Sequence, residues 1–342
     1  MGLQISEIVP RKAIQFGDLK GKVISVDASN IIYQFLSTIR QPDGTPLQDK
    51  QGRITSHLSG LFYRNISLLQ EGLKLVYVFD GEMPELKKRT IEKRLETKAE
   101  AQAKYKTAAS EEDIEAMKKY SQQLARLTPE IKQESKELLE AMGIQCVQAP
   151  SEAEAQAAYM AKKHLAWASA SQDYDSLVFG TPRLIQNLTL ARKRKTPSGF
   201  VYISPELIEL EHVLNSLQLN LDQLICLAIL CGTDYNPGGV KGIGPKKALE
   251  LVRRLKEPYL IFQSVEDKIK KQEEEGRGFN WQEIFPLFKQ PNVKDIEVKF
   301  PKLDENKVME ILLERDFSAE RINSALDKLK EAKEQQKQKT LF

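Results

Sequence analysis

Short buried strands alternate with amphipathic helices through the first half of the chain, and this alternation constrains the fold more than any other feature. Apolar residues recur at helical spacing in the segments between the strands. Parallel strands need long crossovers, which are usually helical. We therefore expect an α/β fold, with a mostly parallel, twisted sheet flanked by helices. Four runs of apolar and β-branched residues predict the strands: Lys22–Asp27, Leu73–Asp80, Ile144–Val147 and Trp167–Gln172.

The composition supports a large folded core. Of the 342 residues, 41% are hydrophobic and 29% are charged. The net charge is only +3, so any affinity for nucleic acid must come from local patches. The three cysteines lack metal-ligand spacing, which is typical of buried thiols in a reducing compartment. Because there is no apolar run of membrane-spanning length and no recognisable signal peptide, we expect a cytoplasmic protein.

One long segment interrupts the alternation. Between Pro84 and Pro129 there is neither glycine nor proline, and Lys, Glu, Gln and Ala predominate. Its first half has high helix propensity, but the apolar stripe is thin and consists of Leu86, Ile91 and Leu95. Such a helix buries little surface, so we expect it to project from the core and to be mobile.

An acid ends three of the predicted strands. Asp27, Asp80 and Asp173 follow separate strands, and the ligands of open α/β sheets bind outside the carboxyl ends of the strands. Each aspartate alone could be a helix cap or a turn residue. Their coincidence at equivalent positions favours one shared crevice.

Four further acids lie near the same predicted edge. Glu152 and Glu154 follow a strand, Asp175 closely follows another, and Asp234 comes after a long apolar run. Ser151 and Glu154 also match a capping box, which gives Glu154 a purely structural alternative. Glu152 has no such alternative beyond a favourable interaction with the helix dipole.

Seven carboxylates in one crevice would require positive charge. Two carboxylates about 4 Å apart repel by roughly 4 kcal/mol at an effective dielectric of about 20. Several such pairs would rival the stability of a whole domain, about 5–15 kcal/mol. Hard oxygen ligands without nearby His or Cys suit Mg²⁺ or Mn²⁺, and the pattern predicts two-metal hydrolysis of a phosphodiester. The histidines His57, His164 and His212 lie on predicted helices and are expected to be structural.

Two basic residues follow Asp80 at a spacing that places them on one helix face. Lys87 and Arg94 are seven residues apart, so both could reach a scissile phosphate and stabilise its charge. Glutamates accompany them along the helix. A solvated Lys/Glu helix is therefore an equally good interpretation of this pattern.

A glycine-rich turn after Asp234 predicts a grip on the DNA backbone. Gly242 and Gly244 would bring backbone amides close to a phosphate at the start of a helix beginning at Pro245. We see no set of residues suited to reading bases, so we expect contacts with the backbone and not with the base sequence. Lysines supply the counter-charge: Lys241, Lys246 and Lys247.

A predicted hairpin and one further arginine extend the list of DNA-binding candidates. The segment Leu184–Ser204 alternates like a hairpin with a basic tip. Beyond Pro205 the chain should be mainly helical, and the apolar pattern is lost after Leu329, where we expect disorder. The additional candidates for DNA contact are Arg40 and the tip residues Arg192, Lys193, Arg194 and Lys195.

Five motifs together resemble the structure-specific flap endonucleases, most closely the archaeal form. The motifs are VDASNIIYQFL, VFDGEMPELKKR, APSEAEAQAAY, SQDYDSLVFG and GTDYNPGGVKGIGPKKA. The resemblance covers nearly the whole chain. It implies a PIN-like 5′-nuclease fold. It also implies an enzyme that cleaves 5′ flaps in branched DNA during Okazaki-fragment maturation and base-excision repair. It also implies two Mg²⁺ ions, which Mn²⁺ can replace.

The resemblance assigns roles to particular residues. Asp27, Asp80, Glu152, Glu154, Asp173, Asp175 and Asp234 stand at the positions of metal-binding acids. Lys87 and Arg94 match a catalytic basic pair on a helical arch, and Tyr33 matches an aromatic that stacks near the scissile nucleotide. Gly2 matches an N-terminus near the active site. Gly242 to Lys247 match a helix–two-turn–helix element that binds duplex and, in many members, a potassium ion.

The resemblance also predicts how the chain is organised. Residues 1–330 would form one nuclease domain, with an N-terminal part (1–83), a helical arch (84–128), an internal part (129–235) and a DNA-binding and wrapping region (236–330). Residues 331–342 would be a flexible tail that binds a sliding clamp. The clamp-binding candidates are Gln338, Leu341 and Phe342. The family's motif ends in two aromatic residues, and this sequence has no aromatic pair at those positions.

Other activities remain open from the residues alone. A 5′–3′ exonuclease or a junction resolvase would carry the same acids, and 5′–3′ exonuclease activity is expected beside flap cleavage. A bubble-cutting repair nuclease is disfavoured because that type carries a long insertion. A DNA-binding scaffold without catalysis is also disfavoured, because a scaffold gains nothing from the repulsion among seven carboxylates. We expect a monomer in the cytoplasm of an archaeal cell.

Overall fold

The computed structural model describes residues 3–110, 113–189, 193–196 and 199–339. It confirms the α/β class, since seven strands form a mixed, mostly parallel sheet flanked by helices. The chain divides into two compact units. Unit one comprises Met1–Ile14, Asp80–Glu92 and Gln148–Asp295, and unit two comprises Gln15–Phe79, Lys93–Val147 and Ile296–Phe342.

The described residues contain nine strands. In chain order these are β1 (Lys12–Ala13), β2 (Val23–Asp27), β3 (Lys74–Phe79), β4 (Gln145–Gln148), β5 (Ala168–Ala170), β6 (Arg183–Gln186), β7 (Lys193–Thr196), β8 (Gly199–Tyr202) and β9 (Glu206–Glu209). All four predicted strands are confirmed, as β2 to β5.

The described residues also contain fifteen α-helices. In chain order they are α1 (Ala28–Thr38), α2 (Ser56–Gln70), α3 (Lys88–Ser110), α4 (Ile114–Gln123), α5 (Pro129–Ala141), α6 (Ala153–Lys162), α7 (Asp175–Val178), α8 (Leu210–Leu217), α9 (Leu221–Cys231), α10 (Pro245–Leu255), α11 (Pro258–Gln263), α12 (Glu266–Glu274), α13 (Trp281–Lys289), α14 (Glu305–Leu313) and α15 (Ala319–Lys339). Two short 3-10 helices span Phe16–Leu19 and Glu85–Lys87.

Unit one is built around a buried helix beside four strands. Its strands lie in the order β1-β9-β6-β5. β5 and β6 are parallel, whereas β9 is antiparallel to both β6 and β1. Every residue of helix α9 from Leu224 to Leu230 is buried. A helix that is apolar all round belongs in a core, so α9 is a fixed support for the segment that follows it.

Unit two contains the parallel pair β2 and β3. Val23 lies opposite Lys74, and Asp27 lies opposite Val78. The predicted apolar face of α1 is buried. The predicted cap of α5 is confirmed, because Thr128 Oγ1 accepts a hydrogen bond from the Ile131 N–H at 3.3 Å.

The structure corrects the hairpin prediction. Leu184 belongs to β6 in the main sheet, so the hairpin does not begin there. The hairpin is the shorter pair β7 and β8, which forms a separate two-stranded sheet. Lys193, Arg194 and Lys195 lie within strand β7 and not at the tip. The sequence pattern merged two short strands of different sheets because both alternate with the same period.

Three smaller expectations are also corrected. Strands β1 and β9 had no sequence prediction, since two- and four-residue strands carry too little pattern. Helix α15 continues past Leu329 to Lys339, where loss of regular structure was expected. His164 lies just after α6 with a positive φ of 58°, not within a helix. His57 is buried, and its Nε2 lies 3.0 Å from Glu134 Oε2, as expected of a structural histidine.

No single helix in the described ranges is long and apolar enough to cross a membrane. One bent pair, Leu210–Leu217 with Leu221–Cys231, passes the test of length and composition only when its two helices are taken together.

Two neighbouring glycines allow the turn after α9 to be tested. Gly232 has φ +103°, and an added Cβ would lie 2.5 Å from the backbone nitrogen of Gly239. Gly238 has φ +88°, but an added Cβ would meet nothing within 4 Å. Gly232→Ala should therefore lower the free energy of unfolding by about 2–4 kcal/mol, and Gly238→Ala by only about 1 kcal/mol. Denaturant unfolding measures both, and equal losses would contradict the close packing at Gly232.

Candidate active site

Asp80 follows β3 and anchors the start of α6. Its Oδ1 accepts a hydrogen bond from the Ala153 N–H at 2.9 Å, and its backbone carbonyl accepts one from Gln148 Nε2 at 2.5 Å. The capping box predicted for Ser151 and Glu154 is not formed, since α6 has Glu152 as its N-cap without a side-chain cap bond. Asp80 therefore satisfies the first amide of α6, which the predicted capping box would have left without a partner.

Lys87 is the positive centre of the site. It ends the 3-10 helix after Asp80, and its ammonium pairs with Glu152 and lies 3.5 Å from Asp234 Oδ2. Burial alone would lower the pKa of Lys87, but Glu152 and then Asp234 outweigh it and raise that pKa. Burial raises the pKa of Glu152 above its ordinary value, although Lys87 opposes this change. Lys87 thus remains charged at any working pH.

Glu154 and Asp173 share a serine as their partner. Ser171 lies just after β5, and its hydroxyl donates to Glu154 Oε1 at 2.9 Å. The same Ser171 oxygen accepts a hydrogen bond from the Asp173 N–H at 3.2 Å. Ser171 therefore connects the first turn of α6 to the loop after β5, and it positions both acids.

Asp175 is the most deeply buried acid of the set. It begins α7 and is only 5% exposed. Burial, followed by the charges of Asp234 and Asp173, raises the pKa of Asp175 to about 7. Within the described residues, its Oδ1 accepts no hydrogen bond. A buried carboxylate oxygen without a donor is costly, so this atom is available to a cation.

Asp234 lies in the turn after α9 and is held by a residue of α3. Its backbone carbonyl accepts a hydrogen bond from the Thr90 hydroxyl, at the start of α3. The next residue, Tyr235, is buried, and Lys87 Nζ lies 5.4 Å from the centre of its ring. Lys87 thus contacts two acids and one aromatic face.

These acids are suitable metal ligands in type, but they do not surround one point. No three His, Cys, Asp or Glu side chains of the described ranges converge as ligands of a single ion. The ammonium of Lys87 supplies the positive charge beside Glu152 and Asp234. The set nevertheless fits a hard divalent cation, because all its donors are carboxylates and Asp175 Oδ1 is a buried acceptor. The joint binding of ions by all seven acids remains a prediction.

Three residues expected at the site belong to unit two: Asp27, Tyr33 and Arg94. Asp27 ends β2, is 7% exposed and caps α1, with its Oδ1 3.1 Å from the Asn30 nitrogen. The structural alternative for Asp27 is therefore realised, and it is compatible with a further role for the second oxygen. Tyr33 lies on α1 with 39% of its surface exposed, and Lys98 Nζ lies 5.7 Å from its ring centre. Arg94 lies on α3, but its side chain is outside the described residues.

The glycine-rich turn has the predicted form. Gly242 has φ +80°, and Gly244 is the N-cap of α10. Lys241 and Lys246 are exposed and have acidic neighbours, with Lys246 Nζ 3.5 Å from Glu7. Lys247 Nζ lies 3.4 Å from the Gly242 carbonyl oxygen. The turn therefore presents backbone amides and exposed basic side chains at a helix N-terminus.

Arg40 has a structural explanation. Its guanidinium donates to the Gly44 carbonyl at 3.0 Å and to the Ser121 hydroxyl at 3.2 Å. Ser121 in turn donates to the same Gly44 carbonyl at 2.6 Å. These bonds connect the loop after α1 to α4, and they leave the predicted DNA contact of Arg40 as a prediction.

Several predicted residues cannot be placed. Gly2, Arg192, Leu341 and Phe342 lie outside the described residues, as do the side chains of Lys193, Arg194, Lys195 and Gln338.

Sequence reasoning missed the residues that orient the acids. Ser171, Thr90 and Tyr235 were not singled out, although each contacts a candidate acid or Lys87. Ser171 stands two residues before Asp173, which is a common spacing for a side chain that bonds a nearby amide. Thr90 carried no signal, because its partner Asp234 is 144 residues away.

Known proteins match this chain along its whole length. The family models described as XPG N-terminal domain and XPG I-region match residues 3–101 and 143–234. Flap endonuclease 1 of Pyrococcus abyssi is 52% identical, with 100% of this chain and 97% of the relative covered. Flap endonuclease 1 of Aeropyrum pernix is 50% identical, with 97% and 95% covered.

Solved structures agree with this match. Flap endonuclease-1 from Methanococcus jannaschii is 43% identical, with a TM-score of 0.75 and 97% of this chain and 98% of that chain covered. The catalytic core of Rad2 in complex with DNA substrate has a TM-score of 0.70 at 23% identity, covering 96% of this chain and 100% of that one, which supports the fold.

The matches first define a class, the XPG nucleases, whose two conserved regions contain all seven candidate acids. Within that class, the chain belongs to the flap endonuclease 1 family.

The raised pKa of Asp175 predicts a pH-dependent stability. An unfolded aspartate has a pKa of about 3.9, so the folded state binds the proton more tightly. Ionised Asp175 therefore destabilises the fold, from about pH 4 upwards to a full effect above about pH 7. In EDTA at pH 8, Asp175→Asn should raise the free energy of unfolding by up to about 4 kcal/mol.

The same comparison at low pH is the control for Asp175→Asn. Near pH 4 both proteins carry a neutral side chain at this position, so the gain should vanish. Thermal or urea unfolding across pH 4–8 measures the effect. A gain that does not depend on pH would contradict it.

Proposed function

We propose that this protein is a flap endonuclease that hydrolyses a phosphodiester at the base of a 5′ flap in branched DNA. The observation that carries the proposal is the cluster of acids in unit one beside the half-buried Lys87, whose charge acts on Glu152, Asp234, Glu154 and Asp175. Its relatives at about half identity over the full length are flap endonucleases 1. The reaction would serve Okazaki-fragment maturation and base-excision repair, in the cytoplasm of an archaeal cell.

The acids would hold two divalent cations, Mg²⁺ or Mn²⁺. The residues proposed for this are Asp27, Asp80, Glu152, Glu154, Asp173, Asp175 and Asp234. When bound, such ions lower the pKa of a water molecule and stabilise both oxygens of an in-line displacement. A structure of the relative GEN1, at 17% identity, is described as bound to product DNA and an Mg²⁺ ion.

The ammonium of Lys87 would stabilise the scissile phosphate. Lys87 is charged at any working pH, and its ammonium donates to acids in the absence of DNA. A scissile phosphate in the site would offer Lys87 oxygen acceptors and spread the negative charge over more donors. Arg94 lies on α3, seven residues after Lys87, and would act together with it. Tyr33 would stack on a base near the cut.

The turn from Gly242 to Lys247 would hold duplex DNA. Its amides and lysines suit phosphates and present no pattern for reading bases. A potassium ion at this turn, 5′–3′ exonuclease activity and binding of a sliding clamp through Gln338, Leu341 and Phe342 are finer expectations from the same family resemblance. The relative Rad2 has been solved in complex with a DNA substrate.

Removing Lys87 tests its catalytic role. Lys87→Ala should slow single-turnover flap cleavage in Mg²⁺ by about 10²–10³-fold, with little change in DNA affinity, because its charge acts on the reacting phosphate. Rapid-quench assays measure the rate, and fluorescence anisotropy measures the affinity. Lys307→Ala is the control, since Lys307 is an exposed lysine on α14 paired with Glu310. A rate near that of the wild type would remove Lys87 from the catalytic residues.

Removing Lys246 tests the grip on the backbone. Lys246→Ala should weaken binding equally across DNA sequences and reduce the slope of log Kd against log salt by about one. Anisotropy titrations at several salt concentrations measure this, again with Lys307→Ala as the control. An unchanged slope would exclude a phosphate contact at Lys246.

A panel of substrates decides among the related activities. The wild-type chain with Mg²⁺ is compared on a 5′ flap, a nick, a bubble, a four-way junction, and single strands of DNA and RNA. We expect cleavage of the flap to be the fastest. Equal rates on the nick and the flap would instead indicate an exonuclease, and no cleavage of any substrate would indicate a DNA-binding scaffold.

A further inference from the structure

One buried side chain fastens the segment just before the glycine-rich turn (Gly242 to Lys247) to a neighbouring helix. Gln272 lies on α12 and is 7% exposed. Its Oε1 accepts the Lys241 N–H at 2.9 Å, and its Nε2 donates to the Gly239 carbonyl at 3.0 Å. A single amide thus satisfies the two main-chain groups on either side of Val240, as a paired strand would.

The opposite side of the same residues rests on α9. The Val240 N–H donates to the Leu230 carbonyl at 2.8 Å, and the Val240 side chain is buried. Gly239 packs so closely that an added Cβ would lie 2.3 Å from the Leu230 carbonyl oxygen. The segment from Gly239 to Lys241 is therefore held between the core helix α9 and the side chain of Gln272.

The held segment is continuous with Asp234. Asn236 is buried, and its Oδ1 accepts the Thr233 N–H at 3.1 Å and the Thr233 hydroxyl at 2.8 Å. Its Nδ2 donates to the Ile229 carbonyl at 2.7 Å, and its own carbonyl accepts the Gly239 N–H at 3.0 Å. Hydrogen bonds thus run without a break from the residue before Asp234 to Lys241.

We propose that Gln272 is a positioning residue that sets the distance between Asp234 and the DNA-binding turn, and thereby determines which phosphodiester is cut. The proposal rests on the flap endonuclease function. Successive phosphates of one strand are about 3.4 Å apart along the helix axis. A turn that could shift by about that distance would therefore place a neighbouring phosphodiester at the acids.

The substitution Gln272→Leu tests this role because it removes both hydrogen bonds while keeping an apolar body of similar size. It leaves two main-chain groups without their partners, so the turn loses its fixed place. Gln272→Glu is a second variant of the same size, because its carboxylate still accepts from the Lys241 N–H but cannot donate to the Gly239 carbonyl. Lys270→Ala is the control, since Lys270 is exposed on the same helix and pairs with Glu266.

The experiment uses the full chain, Mg²⁺ and a 5′ flap substrate, and maps the products at single-nucleotide resolution under single-turnover conditions. For Gln272→Leu we expect the fraction cut at neighbouring phosphodiesters to rise about three- to tenfold. The rate summed over all products should stay within about threefold of the wild-type rate. Gln272→Glu should give a smaller rise, and Lys270→Ala should give the wild-type pattern.

Two outcomes would overturn the positioning role. One is an unchanged product pattern in a folded Gln272→Leu protein, with folding checked by circular dichroism. The other is a lower rate with an unchanged pattern, which would show a purely structural role. If Gln272→Leu does not fold, the pattern of Gln272→Glu decides. Failure of the wild-type chain to cut the flap would contradict the proposed function itself, and the inference would fall with it.

Discussion

The ion pairing of Lys87 with Glu152 and Asp234 is the interaction on which the candidate site depends. Acids packed at this density would repel each other by several kcal/mol without a cation (about 4 kcal/mol for a close pair at an effective dielectric of about 20). The chain supplies one such cation from the segment after β3. Asp175 lies beyond direct pairing with it, and burial together with the charges of Asp234 and Asp173 raises the pKa of Asp175. The proposed divalent ions would neutralise that remainder.

Much of the fold could be predicted because its signals are local. β2, β3, α1 and the cap at Thr128 follow from residues within one element. β1 and β9 could not be predicted, since a two- or four-residue strand is defined by its partner and not by its own pattern. The predicted start of the hairpin was wrong for the same reason. β6 and β7 have the same alternating pattern, but they pair in different sheets.

The candidate site shows the same division. The acids were found because each stands next to a strand or helix end that the sequence predicts. Several of their hydrogen-bond partners were not found, because contacts such as that of Thr90 with Asp234 join distant parts of the chain. Asp80 caps α6 although a local capping box was available, and Thr90 bonds the carbonyl of Asp234. The sequence predicts that Lys87 contacts a phosphate. It could not predict the ion pair of Lys87 with Glu152, because that pair depends on tertiary structure.

The stretch from Gly232 to Val252 contains both Asp234, proposed as a metal ligand, and the turn proposed to bind duplex DNA. Asp234 contacts Lys87 at one end, and the turn at Gly242 begins α10 at the other. The amides of Asn236 and Gln272 hold the residues between them. We expect the acids beside Lys87 to bind two divalent cations. Isothermal titration of the wild-type chain with Mn²⁺ measures this directly. Two ions should bind per wild-type chain and fewer per Asp175→Asn chain, whereas no binding by the wild-type chain would contradict a two-metal site.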